Sequence, residues 1–132
     1  KRLKKYKVIM DEYRCINRKK GSANNRENDK YILNKIKKDD ILVVCDERGK
    51  IIKTMELVNI LNDFKTKKNA TNNRLIFLIG GPYGFSDNVR NRADMICSLS
   101  GLILAGSVAR LVLLENLYRC FMIIDNHPYH NN

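Results

Sequence analysis

Acidic residues are scarce in this chain, C-x-x-C pairs are absent, and no apolar run is long enough to span a membrane. Each absence narrows what the chain does. Cys15, Cys45, Cys97 and Cys120 stand far apart, so the spacing that builds a zinc site is missing. Three of the four lie inside apolar runs, where a free thiol behaves as a small hydrophobe. That usage fits a reducing compartment better than secretion. The most apolar stretch, Leu99 to Tyr118, is interrupted by Gly101, Gly106, Ser107 and Arg110. No signal peptide and no internal repeat are visible. The chain opens KRLKKYK without a methionine, from which we expect a segment upstream.

With 14 acidic against 25 basic residues the formal net charge is +11, which favours a polyanionic partner. Nucleic acid comes first and an anionic membrane surface second. A bias toward Lys and Asn in codon usage is the plain alternative for part of that excess. A length of 132 residues suits one domain with a modest core. The mixture of 44% hydrophobic and 30% charged residues is globular rather than disordered.

Along the chain, Lys1 to Lys7 reads as a helix end or a solvated arm, and Tyr13 to Ile16 as a short strand. Lys19 to Asp29 is polar with Gly, Ser and Asn and predicts a loop. Tyr31 to Lys38 carries a weak helical pattern in Tyr31, Ile32, Lys35 and Ile36. Ile41 to Asp46, ILVVCD, predicts a buried parallel strand ending in a turn at Arg48-Gly49. Thr54 is placed to cap a helix with Glu56 in its first turn and Leu57, Val58, Leu61 and Phe64 as its stripe. Lys65 to Asn73 predicts a surface loop. Leu75 to Ile79 is a second buried strand. Ser86 predicts a helix cap, with Val89, Ala93, Ile96 and Cys97 on one face. Leu102 to Ala105 predicts a third strand, and Ser107 to Phe121 a final helix. The alternation makes the fold α/β with a mostly parallel sheet.

Three features carry candidate chemistry. The turn IGGPYGFS, Ile79 to Ser86, puts glycines directly after a buried strand, where a ligand can approach the backbone. It lacks the G-x-G-x-x-G spacing and contains no G-K-[ST], so neither a dinucleotide fingerprint nor a P-loop is present. A tight structural turn explains it equally well. The last helix is apolar nearly all round, through Leu111, Val112, Leu113, Leu114, Leu117 and Tyr118, and a small domain rarely encloses such a helix alone. Glu115 and Arg119 stand at the i, i+4 spacing of an ion pair. The closing DNHPYHNN holds both histidines of the chain, His127 and His130, around Tyr129. Histidine suits proton transfer near neutral pH, although a disordered tail is the usual state of a terminus.

FLIGGPYGFS, SLSGLILAGSVARLVLLENLYR and NHPYH, in that order, resemble the signature of the large-subunit ribosomal RNA pseudouridine N3-methyltransferases. These form a branch of the SPOUT methyltransferases. The likeness is dense from Leu75 onward and extends from about Ile41 to His130. It implies a single SPOUT domain over 1–132 with a trefoil knot at roughly 75–125, and a family first strand lying before Lys1. It implies a homodimer, and S-adenosylmethionine held mainly by backbone groups. The family's cofactor positions fall on Cys45, Gly80, Leu99, Ser100, Gly101, Leu102, Ile103 and Leu104. The implied substrate is a pseudouridine of large-subunit ribosomal RNA in the assembled ribosome, in a cytoplasm or an organelle with bacterial-type ribosomes, with no membrane partner. The catalytic candidates are Arg119, His127, Tyr129, His130 and Glu115. Two departures stand out: Tyr83 replaces the common acidic residue after G-G-P, and Ala105-Gly106-Ser107 replaces a proline-histidine-proline. The alternatives are a SPOUT enzyme acting on transfer RNA and a non-catalytic ribosome-binding relative, which the second departure favours.

Overall fold

The computed structural model describes residues 23–67, 74–80 and 85–126. The strand expected at Tyr13 to Ile16, the basic run Lys1 to Lys7 and the tail His127 to His130 lie outside them, as does any strand preceding Lys1. The elements run α1 (Ala23–Lys35), β1 (Ile41–Ile51), α2 (Thr54–Lys67), β2 (Leu75–Ile79), α3 (Asp87–Arg92), β3 (Met95–Ser98) and α4 (Gly106–Ile124). The three strands are parallel in the order β2-β1-β3. The α/β expectation holds.

β1 is central because its first half is apolar on both faces, and Leu42, Val43, Val44, Cys45 and Asp46 are all buried. Side chains alternate across a strand, so the two sets face different helices. Leu42 and Val44 pack with Ile32 of α1, with Phe85 and with Val89 of α3. Val43 and Cys45 lie on the opposite face with Cys97. That face also carries Leu75, Phe77 and Ile79, which pack against Leu57, Val58 and Leu61 of α2 and Leu113, Leu117 and Cys120 of α4. Two helices thus cover each face.

Several expectations need correction. Ala23 to Asp29 is helical rather than looped: α1 has few apolar residues, and tertiary anchors hold it. Ile32 is buried, and the buried Asp29 accepts a hydrogen bond from the Ser86 N–H at 3.0 Å. The helix after β1 starts one residue earlier than Thr54 suggests. Lys53 contributes the first carbonyl, to Leu57 N–H at 3.1 Å, while Glu56 reaches back to accept from Lys53 N–H at 2.9 Å. That reciprocal contact is half of a capping box. The Thr54 hydroxyl instead donates to Asn116 Oδ1 at 3.0 Å, tying α2 to α4. The loop expected from Lys65 gives way to helix as far as Lys67.

Ser86 does cap α3, its hydroxyl accepting from Val89 N–H. That helix, however, stops at Arg92, and Ile96 and Cys97 belong to β3 instead. Asp94 makes the break: its N–H donates to Leu42 O and its carboxylate accepts from Leu42 N–H, both at 2.8 Å. The backbone after it is therefore aligned beside β1. Leu102 to Ala105, expected as the third strand, has no regular structure. α4 is longer than expected and ends where Asn126 takes a left-handed φ of 56°. Asn tolerates that conformation, which closes many helices.

The turn expected at Arg48-Gly49 is a bulge within β1. Cys97 pairs with Cys45 and again with Lys50, so the intervening residues leave the ladder. Gly49 lies flat on β3: a Cβ there would stand 2.9 Å from the N, Cα and C atoms of Cys97. Backbone cannot rotate away as a side chain can. Gly49→Ala is therefore expected to lower stability by about 1–3 kcal/mol, the usual range for overpacking. The denaturant midpoint at constant slope measures it.

Candidate functional site: a groove at the strand ends

In a parallel sheet the C-terminal strand ends share one edge, where α/β proteins characteristically bind ligands. Here Ile79 and Ser98 end β2 and β3, Cys45 lies beside Ile79 where β1 enters its bulge, and a groove of about 750 Å³ opens among them. That volume lies within the usual range for small-molecule sites. The segment Leu99 to Ala105 and the start of α4 form its other wall.

Of the cofactor residues expected from sequence, Cys45, Gly80, Leu99, Ser100, Leu102, Ile103 and Leu104 all line this groove. Gly101 is beside them in the chain but is not part of the lining. Serines hold the segment in shape. Ser98 Oγ donates to Ser100 O at 2.7 Å, and Ser100 Oγ accepts from Leu102 N–H at 2.9 Å. Gly80 is packed against Phe85: a Cβ would stand 2.5 Å from the tip of the ring, which would have to shift. Phe85 is itself buried and lines the groove.

Cys45 and Cys97 are register partners at the groove floor. Hydrogen bonding to Cys97, together with burial, pushes the Cys45 thiol far up, so it stays neutral. The same hydrogen bond holds the Cys97 thiol down, against its burial. The rim is charged. Burial alone would raise the Asp46 carboxyl, but hydrogen bonds from Arg48 and the charges of Arg48 and Arg90 hold it below the usual carboxylate range. Arg90 Nη1 stands at 2.6 Å and Arg48 Nη2 at 3.1 Å from Asp46 Oδ2.

The catalytic candidates are placed differently. Arg119 pairs with Glu115 at 3.1 Å as the i, i+4 spacing predicts. Neither lines the groove of its own chain. Ala109 does, and at about 1.5 Å per residue Arg119 lies roughly 15 Å further along the helix axis. His127, Tyr129 and His130 lie outside the described residues. Asp46, Glu47, Arg48, Phe85 and Ala109 line the groove but escaped the sequence reading. The signal for the first three was their position at the polar end of the apolar run that makes β1. Among the described residues no group of three His, Cys, Asp or Glu side chains is placed to hold a metal ion. No described helix is long and apolar enough to cross a membrane.

Comparison with known proteins gives the family. Residues 1–130 match a family model described as "Predicted SPOUT methyltransferase". The match reaches well upstream of the motifs legible from Ile41 onward. Among similar proteins, the ribosomal RNA large subunit methyltransferase H of Syntrophotalea carbinolica is 42% identical over 106 residues, covering 80% of this chain and 66% of that protein. The protein of the same name from Bacteroides thetaiotaomicron is 37% identical over 100 residues, covering 76% and 62%. The one from Christiangramia forsetii is 35% identical over 126 residues, covering 96% and 78%. The chain thus spans a little under two thirds of the first two relatives. With the motifs, the parallel sheet and the groove in agreement with these matches, the chain belongs to the SPOUT methyltransferase family.

Proposed function

We propose that this protein transfers a methyl group from S-adenosylmethionine to N3 of a pseudouridine in large-subunit ribosomal RNA, acting on the assembled ribosome. The observation that carries the proposal is the groove. Residues far apart in sequence, Cys45, Gly80, Leu99, Ser100 and Leu102 to Leu104, converge on one pocket at the strand ends. Its walls suit the cofactor: apolar side chains from Ile79, Phe85, Leu99 and Leu104 stand beside exposed loop backbone. When bound there, the cofactor supplies an electrophilic methyl on a sulfonium. The chain's own residues must do the rest. N3 of pseudouridine is an imide N–H, a poor nucleophile until deprotonated, so the site must hold that nitrogen in line and favour its anion. Arg119 is the candidate for stabilising the developing charge, with Arg110 as the second. Glu115, His127 and His130 are the candidate bases, with Tyr129 grouped beside the two histidines.

These groups act across a homodimer in this proposal, with Arg119 and the tail meeting the partner's groove. Exposed apolar surface supports that arrangement. Ile103 is 84% and Leu111 64% exposed, and Leu102 and Val108 are exposed beside them. Large contiguous apolar patches mark interaction surfaces. The expected trefoil knot at roughly 75–125 threads this same region, and the net charge of +11 draws the protein to ribosomal RNA. A cytoplasm, or an organelle with bacterial-type ribosomes, is the compartment this substrate requires.

One feature favours a second reading, a ribosome-binding relative without activity. Ala105 precedes α4 with no side-chain cap, and Gly106 opens the helix beside the groove. That leaves the loop wall less rigid. Radiolabelled methyl transfer to intact ribosomes, to free large-subunit RNA and to transfer RNA decides. Label in pseudouridine of intact ribosomes supports the proposal. Label in transfer RNA alone, or cofactor binding without any transfer, overturns it.

A further inference from the structure

β1 leaves its ladder with β3 at Cys45 and rejoins it at Lys50, both residues pairing with Cys97. Between them Asp46 to Gly49 arch over the end of β3 at the rim of the groove. Gly49 lies against the Cys97 backbone and fixes one foot of the arch. Buried Asp46 fixes the other, accepting from Arg48 N–H at 3.0 Å, from Arg48 Nη2 at 3.1 Å and from Arg90 Nη1 at 2.6 Å. Arg90 by itself would tie α3 to β1, so a purely structural cluster has no need of Arg48. Yet Arg48 is also held, with Nε 3.4 Å from Asp46 Oδ1, while its side chain stays 57% exposed and lines the groove.

That grip has two consequences. The guanidinium plane is oriented before any ligand arrives, and its remaining donors keep the fork geometry that suits a carboxylate. Arg48 and Arg90 face the buried Asp46 carboxylate, and the charges of Asp87 and Glu47 also act on Arg48, so this part of the rim carries both signs of charge. Glu47, next in the arch, is exposed, lines the same groove and supplies a separate negative charge. A ligand complementary to the whole pocket has an apolar body and a zwitterionic end.

We propose that Glu47 and Arg48 form the subsite for an α-amino-acid end, with Arg48 binding its carboxylate and Glu47 its ammonium group. On the reading that the groove takes S-adenosylmethionine, this is the methionine end of the cofactor. The arch is then a specificity device that separates the intact cofactor and its demethylated product from nucleosides lacking the amino acid.

Calorimetry on the full-length protein tests this with two ligands. S-adenosylhomocysteine carries the amino-acid end, and 5′-methylthioadenosine keeps the adenosine and the thioether without it. The parent is expected to bind the first at least about tenfold more tightly, as charge-assisted contacts allow. Arg48→Gln and Glu47→Gln are each expected to lose about tenfold for S-adenosylhomocysteine and to keep their affinity for methylthioadenosine. The second ligand also reports on folding. Variants that bind S-adenosylhomocysteine like the parent, or that lose both ligands in parallel, overturn the subsite. A parent that binds both ligands equally overturns the subsite and leaves the cofactor groove standing. A parent that binds neither overturns the groove's assignment, and the subsite with it.

Discussion

Mixing two impaired variants, Arg119→Ala and Ala109→Leu, is expected to restore about a quarter of the parent's methyl transfer at subsaturating cofactor. Alone, Arg119→Ala should lower kcat by about 100-fold, the scale seen when one charge-stabilising donor is removed. Its cofactor affinity should not change, because Arg119 does not line the groove of its own chain. Ala109 does line it, on the first turns of α4. A leucine there projects into ligand space at a helix-compatible position. Overlap of that kind costs about 1–3 kcal/mol, or roughly tenfold to a hundredfold in affinity. If Arg119 serves the partner's groove, a mixed dimer has one site with both lesions and one with neither. Random pairing makes about half of the dimers mixed, so about a quarter of all sites are intact. If Arg119 serves its own groove, every site carries one lesion and mixing restores nothing. Steady-state methyl transfer on ribosomes, measured before and after subunit exchange, separates the two.

Gly80→Leu is expected to lose S-adenosylmethionine binding and stability together. A single Cβ at this position already falls 2.5 Å from the Phe85 ring, and Phe85 is packed with Leu42, Val44 and Val89 on the far face of β1. A longer side chain must displace that ring or fill the groove it borders. We expect at least about 1–3 kcal/mol of destabilisation, as for other overpacked cores. Calorimetry and chemical denaturation on the same preparation measure both losses. Binding lost at unchanged stability would mean that Phe85 moves freely and that Gly80 matters to the ligand alone.

How much of this was legible beforehand depends on the element. β1 and β2 were readable because continuous apolar runs bounded by polar turns have few other stable fates than a doubly covered parallel strand. α2 and α4 were readable from their apolar periodicity, apart from their exact ends. α1 was not, because its stability comes from Ile32 and Asp29 reaching other elements rather than from its own composition. β3 was misplaced for a similar reason. MICS and LILA are both short apolar runs, and nothing local distinguishes them. The backbone bonds between Asp94 and Leu42 choose the first, leaving Leu102 and Ile103 exposed at the groove.

The candidate site divides along the same line. Motif order by itself determined the family, and the i, i+4 spacing determined the Glu115–Arg119 pair, because both are carried by residues readable along the chain. Only the tertiary structure decided that Cys45, Gly80, Leu99, Ser100 and Leu102 to Leu104 share one groove, and that Asp46, Glu47 and Arg48 form its charged rim. The rim depends on a register irregularity between β1 and β3, and register is a relation between strands distant in sequence. The ion pairs that hold it, from Arg48 within the arch and from Arg90 on α3, exist only once that relation has formed.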